Sequence, residues 1–168
     1  MCLTAIFAVL MILGAWIAVP TVPPFTMQTF VLYCMVCLLD GKKMLGAVSL
    51  YLLLGVVGVP VFAGFRGGVG ALFGATGGYL IGFLLMSVLR LLKRPSRHDT
   101  AFSVVVMAAG TVASYAAATV WYALLFTGGS AAGLWTAMLA CVVPFVIPDC
   151  LKAVAALLVS KRLKRAVA

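Results

Sequence analysis

Acidic residues are almost missing from this chain of 168 residues: glutamate is absent, and Asp40, Asp99 and Asp149 are its only side-chain carboxylates. Histidine occurs once, at His98. Chemistry that divides a proton between paired carboxylates, or sets a nucleophile beside an imidazole base, finds almost no equipment here. Asp149 acting alone as a general base is the one enzymatic reading left, and it has no partner group. The chain has no G-x-x-x-x-G-K-[ST] run, so it offers no phosphate cradle for ATP. Cys2, Cys34, Cys37, Cys141 and Cys150 lie in or beside apolar stretches. Cys34 and Cys37 form a single CxxC, which without a second pair or further histidines fits packing rather than a metal or redox centre.

Apolar residues take the place of the missing charge. They make up 65% of the chain against 9% charged residues, with a mean hydropathy of +1.26, where a soluble domain has about half. Several apolar runs approach the roughly 20 residues that cross about 30 Å of hydrocarbon as a helix, whereas a barrel would show short alternating segments. An all-α integral membrane bundle is expected, in one domain over residues 1–168. The amino-terminal run lacks a basic leader and a convincing cleavage site, so it reads as a retained helix.

Breaks in the pattern divide the chain into six expected spans, at about 3–19, 26–39, 44–62, 70–92, 101–126 and 149–165. Pro20, Pro23 and Pro24 end the first, since proline removes a donor and restricts its predecessor. The turn Asp40-Gly41-Lys42-Lys43 ends the second, and the reversal Gly64-Phe65-Arg66-Gly67-Gly68 separates the third from the fourth. Pro144 and Pro148 argue for a short extra helix over about 133–143 before a last span that starts at Asp149.

Ten of the twelve basic residues fall in three clusters: Lys42 and Lys43; Arg90, Lys93, Arg94 and Arg97; and Lys161, Arg162, Lys164 and Arg165. With six spans all three clusters face the cytoplasm, and both chain termini with them. The net charge of +9 then sets topology and meets anionic lipid headgroups, which makes membrane lipids and not nucleic acid its partner.

Arg66 and Lys152 stand outside these clusters, and with Asp149 they fall towards the outer half of the expected bundle. Charge at membrane depth costs roughly 2.5–3.5 kcal/mol, so it persists where paired, in cavities, or used. Two readings stay open. Asp149 and Lys152 can form an i, i+3 pair with Asp149 capping a helix. Alternatively, an acceptor-only carboxylate beside a donor-only ammonium can bind a urea or amide group, with the Arg66 fork taking a carboxylate on the same solute. A cation in a first helical turn opposes the dipole, which favours the second reading for Lys152. Arg66 can equally be a solvated loop charge.

Ten of the seventeen glycines lie between Gly55 and Gly82. Gly74, Gly78 and Gly82, four apart, suit close helix packing. Gly64, Gly67, Gly68 and Gly70 allow a loop to close over a ligand.

The stretch Gly58-Val59-Pro60-Val61-Phe62-Ala63-Gly64-Phe65, then Gly67-Gly68, then Gly74-Ala75-Thr76-Gly77-Gly78-Tyr79-Leu80-Ile81-Gly82-Phe83, resembles the BioY family, the biotin-specific S components of energy-coupling factor (ECF) transporters. Pro24-Phe25-Thr26-Met27-Gln28-Thr29 and Pro144-Phe145 with Pro148-Asp149 and Lys152 agree with it. Ala75 departs from it, standing where the family usually has proline. The resemblance implies a six-helix fold in the bacterial cell membrane and capture of biotin from the outer side. Biotin is then a transported ligand and no cofactor is expected. Asp149 and Lys152 would bind its ureido ring. Tyr79, Phe62 and Phe65 would enclose its apolar body beside Gly67 and Gly68, and Arg66 would suit its acid tail. It further implies a transmembrane coupling subunit and an ATPase pair as partners. Gly14 and Ala18, near Ala5, Ala8 and Ala15, resemble the small-residue face with which S components dock. The alternatives are an S component for another small vitamin and a transporter that works without the ATPases.

Overall fold

A computed structural model of the chain describes residues 2–92 and 100–166; Lys93, Arg94, Arg97, His98 and Asp99 lie outside the described residues. Among the described residues the chain is all-α apart from one small hairpin and an isolated bridge between Phe62 and Arg66. Helices α1 (Cys2–Trp16), α2 (Gln28–Leu38), α3 (Gly41–Val57), α4 (Val69–Leu72), α5 (Gly77–Leu89), α6 (Thr100–Phe126), α7 (Ala131–Cys141) and α8 (Val143–Ala166) follow in order, with a 3₁₀ turn at Arg90–Leu92. Two stretches, Thr100–Phe126 and Ala132–Arg165, are long and apolar enough to cross a membrane unaided; Cys2–Trp16, Gln28–Leu38 and Gly77–Leu92 are shorter apolar helices. The surface fits lipid, with Leu3, Ile6, Val9, Leu53, Val105, Val112, Leu124, Leu151 and Leu158 all exposed.

The prolines after α1 deny a helix, and the chain instead turns back as an antiparallel pair, β1 (Ala18–Val19) and β2 (Phe25–Thr26). The Thr21 hydroxyl donates to the Pro23 carbonyl at 2.7 Å and accepts from the Phe25 N–H at 3.1 Å. The Met27 N–H donates to Gly14 O and Ile17 O at 3.0 and 3.1 Å, which fastens the hairpin to the end of α1. Phe25, Thr26 and Thr29 are thereby held beside α8.

The third helix starts earlier and ends sooner than the sequence suggests, because Gly58 adopts φ +106° and gives its N–H to Gly55 O and Leu54 O. That left-handed C-terminal geometry is open to glycine at little cost. The expected span from 70 is broken: α4 is a single turn, and α5 begins only at Gly77. Between them Gly74 O accepts both from Gly77 N–H at 3.1 Å, closing a turn, and from Trp121 Nε1 at 3.1 Å, which ties that turn to α6. From there α5 lies against α6 as the small-residue spacing requires, for a Cβ at Gly78 would stand 2.5 Å from Ala118 Cα.

The carboxyl-terminal division holds, but its position moves. The Ser130 hydroxyl caps α7 by accepting from Gly133 N at 3.1 Å. The break then falls at Val142, and α8 runs on through Pro148. Pro144 sits in the first turn, where its missing N–H costs nothing. Asp149 and Lys152 are therefore interior to α8. Asp149 is not an N-cap, and Lys152 does not oppose the dipole of a first turn.

Arg90 also differs from expectation. The sequence assigns it to a basic cluster that faces the cytoplasm, yet it is 1% exposed. Its Nε donates to Val36 O at 2.9 Å, one of the carbonyls left open at the end of α2, and its guanidinium lies over the Phe102 ring. Arg90→Met orphans that carbonyl and is expected to cost about 1–3 kcal/mol, read as a lower melting temperature in detergent; an unchanged midpoint would refute this role.

Candidate functional site

Lys152 projects from α8 towards the residues that lead into α2 and is only 7% exposed. All three ammonium protons have acceptors: Thr26 O at 2.7 Å, Thr29 Oγ1 at 2.7 Å and Asp149 Oδ1 at 3.1 Å. The Phe25 ring lies 3.8 Å from Nζ, close enough for a cation–π contact. The neighbouring Asp149, 4% exposed, receives the Thr29 hydroxyl on Oδ1 at 2.9 Å and the Tyr115 hydroxyl on Oδ2 at 2.8 Å. A buried charge pair is tolerated when its remaining hydrogen-bonding capacity is satisfied, and here α2, α6 and α8 each supply a partner. The carboxylate keeps spare lone pairs, whereas the ammonium must exchange a partner to bind anything new.

Around this pair is a narrow cavity of ≈ 30 Å³ lined by Thr26, Thr29, Tyr79, Phe145, Asp149 and Lys152 among others. It has room for water and not for a solute-sized molecule. Phe145 makes its aromatic wall, with ring centroids 6.0 Å from Phe25 and 5.8 Å from Tyr79. The Tyr79 hydroxyl donates to the Cys141 carbonyl at the end of α7. Gln28 Nε2 donates to the Tyr51 hydroxyl at 2.5 Å and its Oε1 accepts from Thr26 Oγ1 at 3.3 Å, which steadies the start of α2.

A second cavity of ≈ 440 Å³ shares Pro24 and Thr76 with the first and is lined further by Trp16, Phe62, Phe65 and Arg66. Its volume falls within the roughly 300–1,000 Å³ of small-molecule sites. Phe62 is 3% exposed and packs edge-on against Tyr51 at 5.5 Å. Phe65 is exposed, has φ +56°, and leans on Trp16 with centroids 5.0 Å apart.

The residues singled out in sequence thus divide. Asp149, Lys152 and Tyr79 meet at the narrow cavity, while Phe62, Phe65 and Arg66 border the wider one. Arg66 makes no ion pair with Asp149; among the described residues the ion pairs are Lys152–Asp149 and the exposed Lys43–Asp40. Gly67 and Gly68 border neither of these two cavities. A Cβ at Gly67 would strike the carbonyls of Gly58 and Val59, and Gly68 N–H donates to Gly55 O at 2.7 Å, so these glycines seat the loop on the end of α3. Most of the small residues of α1 are also taken up internally. Ala8 and Ala15 are buried, a Cβ at Gly14 would stand 3.2 Å from the Gln28 nitrogen, and Ala18 pairs with Thr26 in the hairpin. Gly14, Ala8 and Ala15 are thus engaged within the molecule, whereas Ala5 is exposed and Ala18, in β1, is half-buried.

Thr29 and Tyr115 join the site without having been singled out in sequence. Thr29 closes the stretch Pro24–Thr29 that carries the family resemblance, which was the available signal. Tyr115 had none in the sequence.

The family described as BioY family matches residues 1–168. The biotin transporter BioY of Thermotoga maritima is 38% identical over 161 residues, covering 95% of this chain and 92% of the relative. The probable biotin transporter BioY of Pyrococcus horikoshii is 33% identical over 164 residues, covering 96% and 94%. In fold the chain is similar to the crystal structure of the S-component for biotin from an ECF-type ABC transporter, with a TM-score of 0.79 at 22% identity, covering 98% of this chain and 89% of that one.

Proposed function

The chain belongs to the BioY family, and from that membership we infer that it binds biotin and carries it across the cell membrane as the substrate-binding subunit of an ECF-type transporter. The observation that carries the reading is the buried Asp149–Lys152 pair, set in a membrane helix beside a cavity and supplied with hydroxyls by Thr29 and Tyr115. A ureido ring presents two N–H donors and one carbonyl. Asp149 takes the donors with its spare lone pairs, and the ring carbonyl replaces one of the acceptors now held by Lys152. Because the inner cavity is smaller than any vitamin, Phe25, Phe145 and Tyr79 must part to admit the bicycle. The valeryl chain then runs past Thr76 and Pro24 into the wider cavity, where Arg66 meets the acid tail.

Six membrane crossings, with the basic ends and both termini in the cytoplasm, fit this arrangement. They put the hairpin and the Gly64–Gly68 loop outside, over the entrance. Energy comes from elsewhere: the sequence holds no phosphate-binding loop, and a transmembrane coupling subunit with an ATPase pair is the partner that the reading requires.

Titration of the purified protein tests the proposal. Biotin is expected to give heat and a raised melting temperature, and thiamine and riboflavin neither; a response to thiamine or riboflavin alone would assign the site to another vitamin. Radiolabelled uptake with and without coupling subunits tests the partners. Arg66 is exposed, so its pairing with the acid is worth no more than ~1 kcal/mol, about fivefold in affinity. Arg66→Ala is expected to bind biotin about that much more weakly and biotin amide unchanged; equal losses for both ligands would remove Arg66 from the site.

A further inference from the structure

Helix α6 packs mainly on α5 and α7 and α8 mainly on α2, and α6 and α8 make little direct contact with each other. The groove between them has a volume of ≈ 550 Å³ and is walled by Val104, Ala108 and Val112 on α6 and by Cys150, Val154 and Leu157 on α8. We propose that this groove holds one acyl chain of an anionic phospholipid, with the headgroup on Lys161 and Lys164.

Its polar groups point to an apolar occupant. Tyr33, which lines it, donates to Thr111 Oγ1 at 2.7 Å, Thr111 donates to Met107 O at 2.7 Å, and Tyr115 donates to Asp149. The one charged group in the lining, Asp149, already holds Thr29, Tyr115 and Lys152 at its two oxygens, so a polar solute would have to displace one of them. Length agrees: from Val104 to Tyr115, or from Val146 to Leu157, a helix rises about 16 Å, close to half of the ~30 Å hydrocarbon thickness. The groove therefore spans one leaflet.

Charge fixes the class of lipid. Cys150, Val154, Leu157, Lys161 and Lys164 succeed one another at spacings of three and four on α8, so the apolar stripe of the groove passes directly into two lysines. An ammonium at the membrane surface attracts a phosphate-bearing headgroup, and two together favour an anionic lipid over a zwitterionic one.

Native mass spectrometry of the whole protein, released from detergent containing equal phosphatidylglycerol and phosphatidylcholine, tests this. Phosphatidylglycerol is expected to stay bound in preference. Lys161→Gln with Lys164→Gln should weaken its retention by roughly thirtyfold, the scale of two basic charges at a headgroup. Ala108→Phe, which fills the groove, should abolish retention, while Val105→Phe, exposed on the same helix but outside the groove lining, should leave it intact. Should melting curves show that Ala108→Phe does not fold, Val104→Trp on the same wall replaces it. Equal retention of the two lipids overturns the proposal, as does loss in the lysine variant without loss in the groove variant. A dimer mass in place of lipid adducts would give the groove to a second copy of the chain and overturn it as well.

Discussion

Lys152→Met is expected to weaken biotin binding by well over tenfold and to destabilise the protein at the same time. Nζ is the common donor to Thr26 O, Thr29 Oγ1 and Asp149 Oδ1. Its removal leaves the Asp149 carboxylate as a buried anion with only hydroxyl donors. Breaking one half of a buried, hydrogen-bonded charge pair costs about 2–5 kcal/mol in a binding interface and about 3–5 kcal/mol in folding. Methionine keeps the length and apolar stem of the side chain, so lost packing contributes little. Calorimetric titration with biotin and a melting curve without it check the two halves separately. Full affinity in a well-folded variant would take Lys152 out of the binding site.

What could be read from the sequence, and what could not, follows from how far each signal reaches along the chain. Apolar runs and basic clusters are local and additive, so the membrane character, the helical class and most helix positions were legible. Helix ends that depend on a distant group were not. The turn before α5 is tied to α6 by Trp121, which donates to the Gly74 carbonyl, and the end of α2 is closed by Arg90, which the sequence placed only in a cytoplasm-facing cluster. Pro148 misled because a proline inside a helix usually marks a boundary, whereas α8 continues through it with Asp149 and Lys152 in its interior.

At the site, Asp149 and Lys152 stood out because charge is so scarce in this chain. Thr29 and Tyr115, 120 and 34 residues from Asp149, carry no such mark: a hydroxyl in an apolar span is common, and only the tertiary packing of α2 and α6 on α8 shows which ones matter. The loop glycines read as freedom to close over a ligand and Gly14 as part of a docking face, and neither reading names the backbone that each approaches. Gly14 meets Met27 and Gln28, and Gly67 meets Val59, both within the same molecule.

The double variant Asp149→Asn with Lys152→Met separates a structural pair from a binding pair, and it is expected to recover most of the stability lost in either single variant while recovering none of the affinity. With both charges gone, no buried ion lacks its counterion, and replacing such a pair by neutral groups of similar volume is commonly close to neutral for folding. Thr29 and Tyr115 donate to different oxygens of Asp149, so the amide oxygen can accept from one of them while the amide NH2 donates to the hydroxyl oxygen of the other. Biotin gains nothing from that repair. Its ureido N–H groups would meet one uncharged acceptor beside an amide NH2 that can only donate, and its carbonyl would meet a thioether. The two measurements should therefore diverge: a melting temperature near that of the unmodified protein beside a biotin affinity at or below that of Lys152→Met. A double variant that regains affinity together with stability would mean that the pair serves the fold alone, and that the vitamin is held by other groups.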